Sequence, residues 1–345
     1  AKYDGKINPL DFIQIKLITV GKEKELTFVD TTGKDITVEY PLERIAILCA
    51  EVGAVIAALD AEDKVVGAVE QALTLPETEK TFEGVHSLGT IIHPSLEDII
   101  VVDPQIVFAF GACPGARGAA MKLAEDLEYY DIPLAFFSFL PDMDTIRSDT
   151  MTMGWLLNEQ EKAEDYIEFF ENYYNIIEER TKDMTEEEKK RVYMENLNYR
   201  VAYYMNQMIN IAGGSDIASG VVRPERHVEV APEWVVEQNP EIIISRSFRI
   251  GHDVTDKEIP QGIIEDIKTR PGWYAIDAVK NDEVYLFSLE TATLRAPIGV
   301  IYMSKMFYPE LFKDVEPDAV FREYLDQFYG IEEIPEGILI YPYPW

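Results

Sequence analysis

The chain states one pattern twice. "HPSLEDIIVVDPQIVFAF", His93 to Phe110, and "VAPEWVVEQNPEIII", Val230 to Ile244, superpose when shifted by 136 residues, setting Glu97 on Glu233, Pro104 on Pro240 and Ile106 on Ile242. Each copy opens with a helix-start signal, Ser95 as an N-cap and Pro232 at the first helical position. Each helix must stop before Asp103-Pro104 or Asn239-Pro240, because a residue preceding proline is driven out of the helical region. A run of apolar strand-formers follows. A helix thus feeds a buried strand twice, and at 345 residues the chain is too long for one small core and suits two lobes.

The remaining pattern agrees. "ELTFVDTTGKDITVEY" alternates around a turn and predicts a hairpin. "RIAIL", "KVVGAV", "QIVFAF" and "IPLAFFSF" read as strands interleaved with the helices "AEVGAVIAAL" and "GAAMKLAEDLEYY", the signature of a parallel, doubly wound sheet. From Thr145 to Met184 the character changes: Ala163, Tyr166, Ile167, Phe170, Tyr173, Tyr174 and Ile177 recur at helical steps. Glu159 to Arg180 as one helix extends about 33 Å, the length of a strut between lobes. A second α/β set follows, with strands "RVYMENL", "EIIIS" and "EVYLF". Its helices are "VAYYMNQMINIAGG", "IGVIYMSKMFYPELF" and "DAVFREYLDQFYG", and the proline-rich tail "IPEGILIYPYPW" is expected to lie extended over the surface. The expected division is a lobe over 1–144 with an N-terminal extension over 1–24, a linking helix over 145–184, and a second lobe over 185–345 with the proline-rich tail.

Bulk properties narrow the function. Against 63 acidic residues stand 31 basic ones, a net charge of −32, and no Lys/Arg cluster offers a nucleic-acid surface. No apolar run approaches the roughly 20 residues of a membrane span. The opening "AKYDGKINPL" has no signal-peptide core, which fits a cytoplasmic or a processed chain. Cys49 and Cys113 are too few for a disulfide framework. Each follows a strand of the first lobe; free buried thiols are the default, with a disulfide or a soft-metal contact as the sharper alternative.

Both repeated glutamates fall in a first helical turn, where the helix dipole favours negative charge. Either alone reads as a satisfied helix end; matched across two lobes, they suit two acidic knobs gripping one partner. Here the sequence resembles a family. "TFVDTTGKDITVEYPLERIAIL", "LGTIIHPSLEDIIVVDPQIVFAFG", "MINIAGGSDIAS", "VAPEWVVEQNPEIII" and "RPGWYAIDAVKNDEVYLF" are similar, in order over about residues 27–330, to substrate-binding proteins of ABC importers for iron–siderophore, haem and cobalamin. The resemblance implies two α/β lobes joined by one long helix, ligand in the cleft between them, a small hinge motion, and an extracytoplasmic place. It also implies delivery to a transmembrane permease whose arginines pair with a glutamate from each lobe, the positions of Glu97 and Glu233.

Ligands of open α/β sheets bind outside the carboxyl ends of the strands. "GACPGARG" sits at such an end; its glycines allow close approach and its helix start favours an anion, but it lacks the Gly-Lys-Ser/Thr ending of a P-loop. Arg117 there is a candidate for an anionic ligand or an ordinary surface arginine. Arg246, Arg249 and Arg295 lie in second-lobe loops, with Arg295 and Arg249 preferred as cleft residues, and guanidinium suits carboxylate, catecholate or propionate oxygens. Tyr199 is a candidate to stack on a planar ligand or ligate ferric iron, against the commoner role of packing. Among four loop histidines, His93 is the pocket candidate, because its loop matches one that lines the cleft in the family.

The sequence holds no GxSxG, HExxH or dinucleotide glycine fingerprint. The reading is therefore a binding protein with no catalytic cofactor. A ligand sensor or an enzyme on the same architecture is the competitor, since fold does not fix function. A ferric chelate is the first expectation for the ligand. A corrinoid or haem follows, whose flat surface would need aromatics such as Tyr199 or Phe139.

Overall fold

The computed structural model describes residues 24–224 and 226–343. The expected N-terminal extension therefore lies, but for Lys24, outside the described residues, as do the last two residues of the tail. The chain forms two compact units. The first runs to Phe139 and resumes over Asp144–Glu168; the second takes Leu140–Met143 and everything from Phe169.

The first unit is built on a five-stranded, all-parallel sheet in the order His86–Ser87, Val65–Ala68, Ile45–Ile47, Ile106–Phe110, Leu134–Phe137. Its central strands are apolar at every position because both faces are covered, and Ile45–Ile47 and Ile106–Phe108 are fully buried. The chain leaves this centre in opposite directions: Ile45–Ile47 leads outward to Val65–Ala68, while Ile106–Phe110 leads to Leu134–Phe137 on the other side. That reversal is a topological switch point, where open α/β sheets as a rule leave a crevice at the carboxyl ends of the strands. The expected hairpin pairs Glu25–Val29 with Asp35–Glu39. Asp30 turns it and ties it down: Oδ1 accepts from the amides of Thr32 and Lys34, and Oδ2 from that of Phe136 in the sheet.

The second unit repeats the plan. Its sheet runs Ser215–Asp216, Arg191–Glu195, Ile242–Ser247, Val284–Ser288, Ile340–Tyr341, with the first four strands parallel. Its switch point lies between Arg191–Glu195 and Ile242–Ser247. The last strand is antiparallel and comes from the tail, with Leu286 opposite Tyr341 and Phe287 opposite Ile340. The tail is thus extended, but as an edge strand and not as a surface wrap, because an open sheet edge offers unpaired backbone groups. On the way Gly337 passes so close to Gly251 and His252 that no side chain fits there, and Ile338 N donates to Val254 O at 2.8 Å.

The expected strut is the helix Gln160–Thr181. It is preceded by a separate helix, Met143–Leu157, and the corner is turned at Asn158, whose φ is 64°. The two helices cross where Gly154 meets Ala163: a Cβ on Gly154 would lie 2.6 Å from that of Ala163. Beyond Phe169 the long helix belongs to the second unit. There Phe169 and Phe170 pack against Tyr324 and Phe328 of the helix Pro317–Tyr329, with ring centroids 5.5–5.9 Å apart. Each such ring contributes on the order of 1.5–3 kcal/mol by burial. No helix among the described residues is long and apolar enough to cross a membrane.

Candidate ligand-binding site

In the second unit the strand Arg191–Glu195 ends one residue before the crevice. The expected strand over "RVYMENL" stops there because Leu197, Asn198 and Tyr199 take left-handed backbone angles, φ 60°, 43° and 65°. Glu195 pairs with Ser245 across the sheet, so Asn196 and Arg246, each one step further, face the same end of the switch point. Asn196 is buried; its Nδ2 lies 3.3 Å from His227 Nε2, and its Oδ1 accepts no hydrogen bond among the described residues. His227 is half-buried. Burial first, then the charges of Arg246 and Arg200, push its pKa below the ordinary value and favour the neutral ring. Arg246 is only 6% exposed, with its guanidinium 4.4 Å from the ring of the exposed Phe248. Two arginines, an imidazole and an amide around one strand-end crevice form a setting for anionic oxygen.

The other second-unit candidates sit differently. Arg249 is exposed on the loop beyond the strand, its amide bonded to Ser247 Oγ at 3.1 Å. Arg295 is buried, its Nη1 3.2 Å from Glu290 Oε2, and that same carboxylate takes His252 Nδ1 at 2.6 Å. Its charge is committed within the protein. Tyr199 presents its ring to the Arg270 guanidinium at 4.5 Å and to Trp273 at 5.7 Å, so packing occupies it.

In the first unit Cys49 and Cys113 stand at the starts of the helices Ala50–Ala58 and Pro114–Tyr129, which follow the two strands flanking the switch point. Both are free. Cys49 is fully buried, and burial, with added repulsion from Glu51 and Cys113, raises its pKa well above the ordinary thiol value. Beside them Gly115 and Gly118 have open space where a side chain would start, so the helix backbone is bare over its first turns. Arg117, between them, is half-buried and makes no ion pair with a described residue. Phe139, φ 39°, stacks on Phe137 at 5.8 Å, and Asp149 Oδ2 fixes the strand end by accepting from the amides of Ser138 and Phe139 at 2.8 and 2.9 Å. His93 is exposed on a small ribbon, paired with Thr90.

The repeated helices match in detail. Leu96–Val102 and Pro232–Gln238 are both 7 residues long, and both end in a left-handed residue, Asp103 or Asn239, just before the proline. Glu97 and Glu233 occupy the first turns and are exposed.

Asn196 and His227 are the functional candidates that sequence reasoning passed over. Asn196 falls near the end of "RVYMENL", read from the sequence as strand, and only the sheet order brings it to a switch point.

Comparison with known proteins adds a family match and three similar proteins. The family model described as periplasmic binding protein matches residues 45–288. An uncharacterized ABC transporter substrate-binding lipoprotein of Bacillus subtilis, YvrC, is 23% identical over 317 residues, spanning 89% of this chain and 93% of that one. The molybdate-binding protein MolA of Haemophilus influenzae is 21% identical over 350 residues, 93% of each chain, and its molybdate-bound crystal structure superposes with a TM-score of 0.72 at 18% identity over 90% of this chain and 99% of that one. The TroA-like periplasmic binding protein FepB of Veillonella parvula gives a TM-score of 0.69 at 20% identity, covering 91% and 99%.

Proposed function

The chain belongs to the periplasmic binding protein family, and from that premise we propose that the solute it carries is an anion, taken by the strand-end loops of the second unit. It is the substrate-binding component of an ABC transporter, it works outside the cytoplasm, and it is a binder and not an enzyme, as its relatives are. The observation that carries the anionic reading is the group Asn196, His227 and Arg246, with Arg200, at the second unit's switch point. In a chain of net charge −32, a buried arginine beside a neutral imidazole at a ligand crevice is a local exception.

A ferric chelate bearing carboxylate or catecholate oxygens fits this group, with Arg246 as principal contact and Arg249 as an outer cation; Arg117 and His93 are the ligand candidates of the first unit, each taken by itself. Arg295 and Tyr199 support the loops rather than touch the ligand. A compact oxyanion is the second reading, favoured by the likeness to MolA over nearly the whole of both chains. Haem and corrinoids rank lower because the Tyr199 ring is already stacked. Glu97 and Glu233 are the docking carboxylates for the permease.

The test is a titration followed by tryptophan fluorescence and calorimetry, with ferric tricatecholate, ferric citrate, molybdate, haem and cyanocobalamin. An anion is expected to bind, and Arg246→Met to weaken it by about 2–3 kcal/mol, the value of a charge-assisted contact. Binding of cyanocobalamin with no response to any anion would refute the reading.

A further inference from the structure

We propose that the buried pair Arg270–Glu195 is a positioning device that holds the turn Asn196–Tyr199, and with it His227, in the shape that receives the anion. This deepens the anionic reading and rests on it. Glu195 is fully buried, and all its acceptor capacity is used: Oε1 takes Arg270 Nη2 at 2.8 Å and Ser245 Oγ at 2.9 Å, while Oε2 takes Arg270 Nη1 at 3.0 Å and the Tyr199 amide at 3.0 Å. The last bond closes the turn. It spans the three consecutive left-handed residues Leu197, Asn198 and Tyr199, none of them glycine, and such a run is disfavoured in an L-polypeptide unless its surroundings enforce it. Arg270 adds a second hold, its guanidinium carbon lying 4.5 Å from the ring centroids of both Tyr199 and Trp273.

From the turn the constraint passes to the site. Asn196, its first residue, reaches His227; Tyr199 O accepts from Val230 N at 2.9 Å; and Arg200–Val201 pairs antiparallel with Val228–Glu229, the strand that begins one residue after His227. Fixing Tyr199 therefore fixes both partners of the Asn196–His227 contact. A buried ion pair is a poor source of stability, since an apolar pair of similar volume does as well or better. An apolar pair could not hold the Tyr199 amide, and strain kept at a binding loop is the mark of preorganisation.

The test uses the full chain. Arg270→Lys keeps the charge but loses the two-pronged fork, and Glu195→Leu/Arg270→Met removes both charges together. In ligand-free protein either variant should raise the hydrogen-exchange rate of the Tyr199 amide at least tenfold while core strands keep their protection and Tm moves little. Affinity for whichever of ferric tricatecholate or molybdate the wild type binds should fall about tenfold or more. Adding Leu197→Gly, which relieves a left-handed leucine at a half-open position, should restore part of that affinity. Unchanged Tyr199 exchange and unchanged affinity in Arg270→Lys would overturn the proposal, even if the apolar double variant failed to fold. Should the wild type bind neither probe, the anionic reading fails; the exchange measurement still decides whether the pair holds the turn.

Discussion

Asp216→Asn should make this protein more stable at neutral pH, and by an amount that depends on pH. Asp216 stands in the edge strand Ser215–Asp216 and is 5% exposed. Its Oδ1 accepts from the Ala218 amide at 2.8 Å and from Asn206 Nδ2 at 3.1 Å. These two bonds favour the carboxylate, but burial outweighs them, and the pKa rises from 3.8 to about 6. The folded state therefore holds this proton more tightly than the unfolded chain does. Stability from the group is complete below the unfolded pKa and is lost as pH climbs from about 4 through about 6. The loss comes to roughly 3 kcal/mol, at 1.36 kcal/mol per pH unit. Asparagine keeps an oxygen for both donors and carries no charge. Urea unfolding of both proteins from about pH 4 to pH 8 isolates the group, because every other carboxylate cancels in the difference. The gap should be near zero at the acid end and level off at about 3 kcal/mol in favour of the variant above the folded pKa. A gap independent of pH, or a variant weaker than wild type at neutrality, would refute the reasoning.

Other outcomes follow from single contacts. Gly337→Ala should lower stability by about 1–3 kcal/mol, read as a drop in Tm, because its methyl would strike Gly251 O and the His252 backbone. Gly262→Ala, in the helix Glu258–Lys268 with nothing near the added carbon, should instead raise stability by about 0.5–1 kcal/mol. A thiol reagent should find Cys113 quickly and Cys49 only on unfolding, since Cys49 is fully buried with its ionisation suppressed; equal rates would contradict the burial. Glu97→Lys with Glu233→Lys should abolish transport into cells while leaving ligand affinity intact, and lost affinity would count against a docking role.

The repeated helix–strand segment, the interleaved strands and helices, and the 22-residue linking helix were all legible in the chain, because each rests on local rules: caps, prolines, and apolar residues at the period of the element. Local rules also placed Glu97 and Glu233 in first turns. They did not reach the tail, whose prolines suggested a surface wrap although two residues pair with the sheet edge. They also preferred Arg295, which Glu290 holds inside the protein, over Arg246 at the strand end.

What the sequence determined by itself is which face of each element is apolar and where each element must stop, and that suffices for two α/β lobes and a long helix. What only the tertiary structure decided is which segments meet. Sheet order creates the switch points, brings His227 to Asn196 across 31 residues, and brings Arg270 to Glu195 across 75. A periodic apolar pattern tells a strand that it must be covered and leaves open by what. The partner is chosen by the packing of the whole chain.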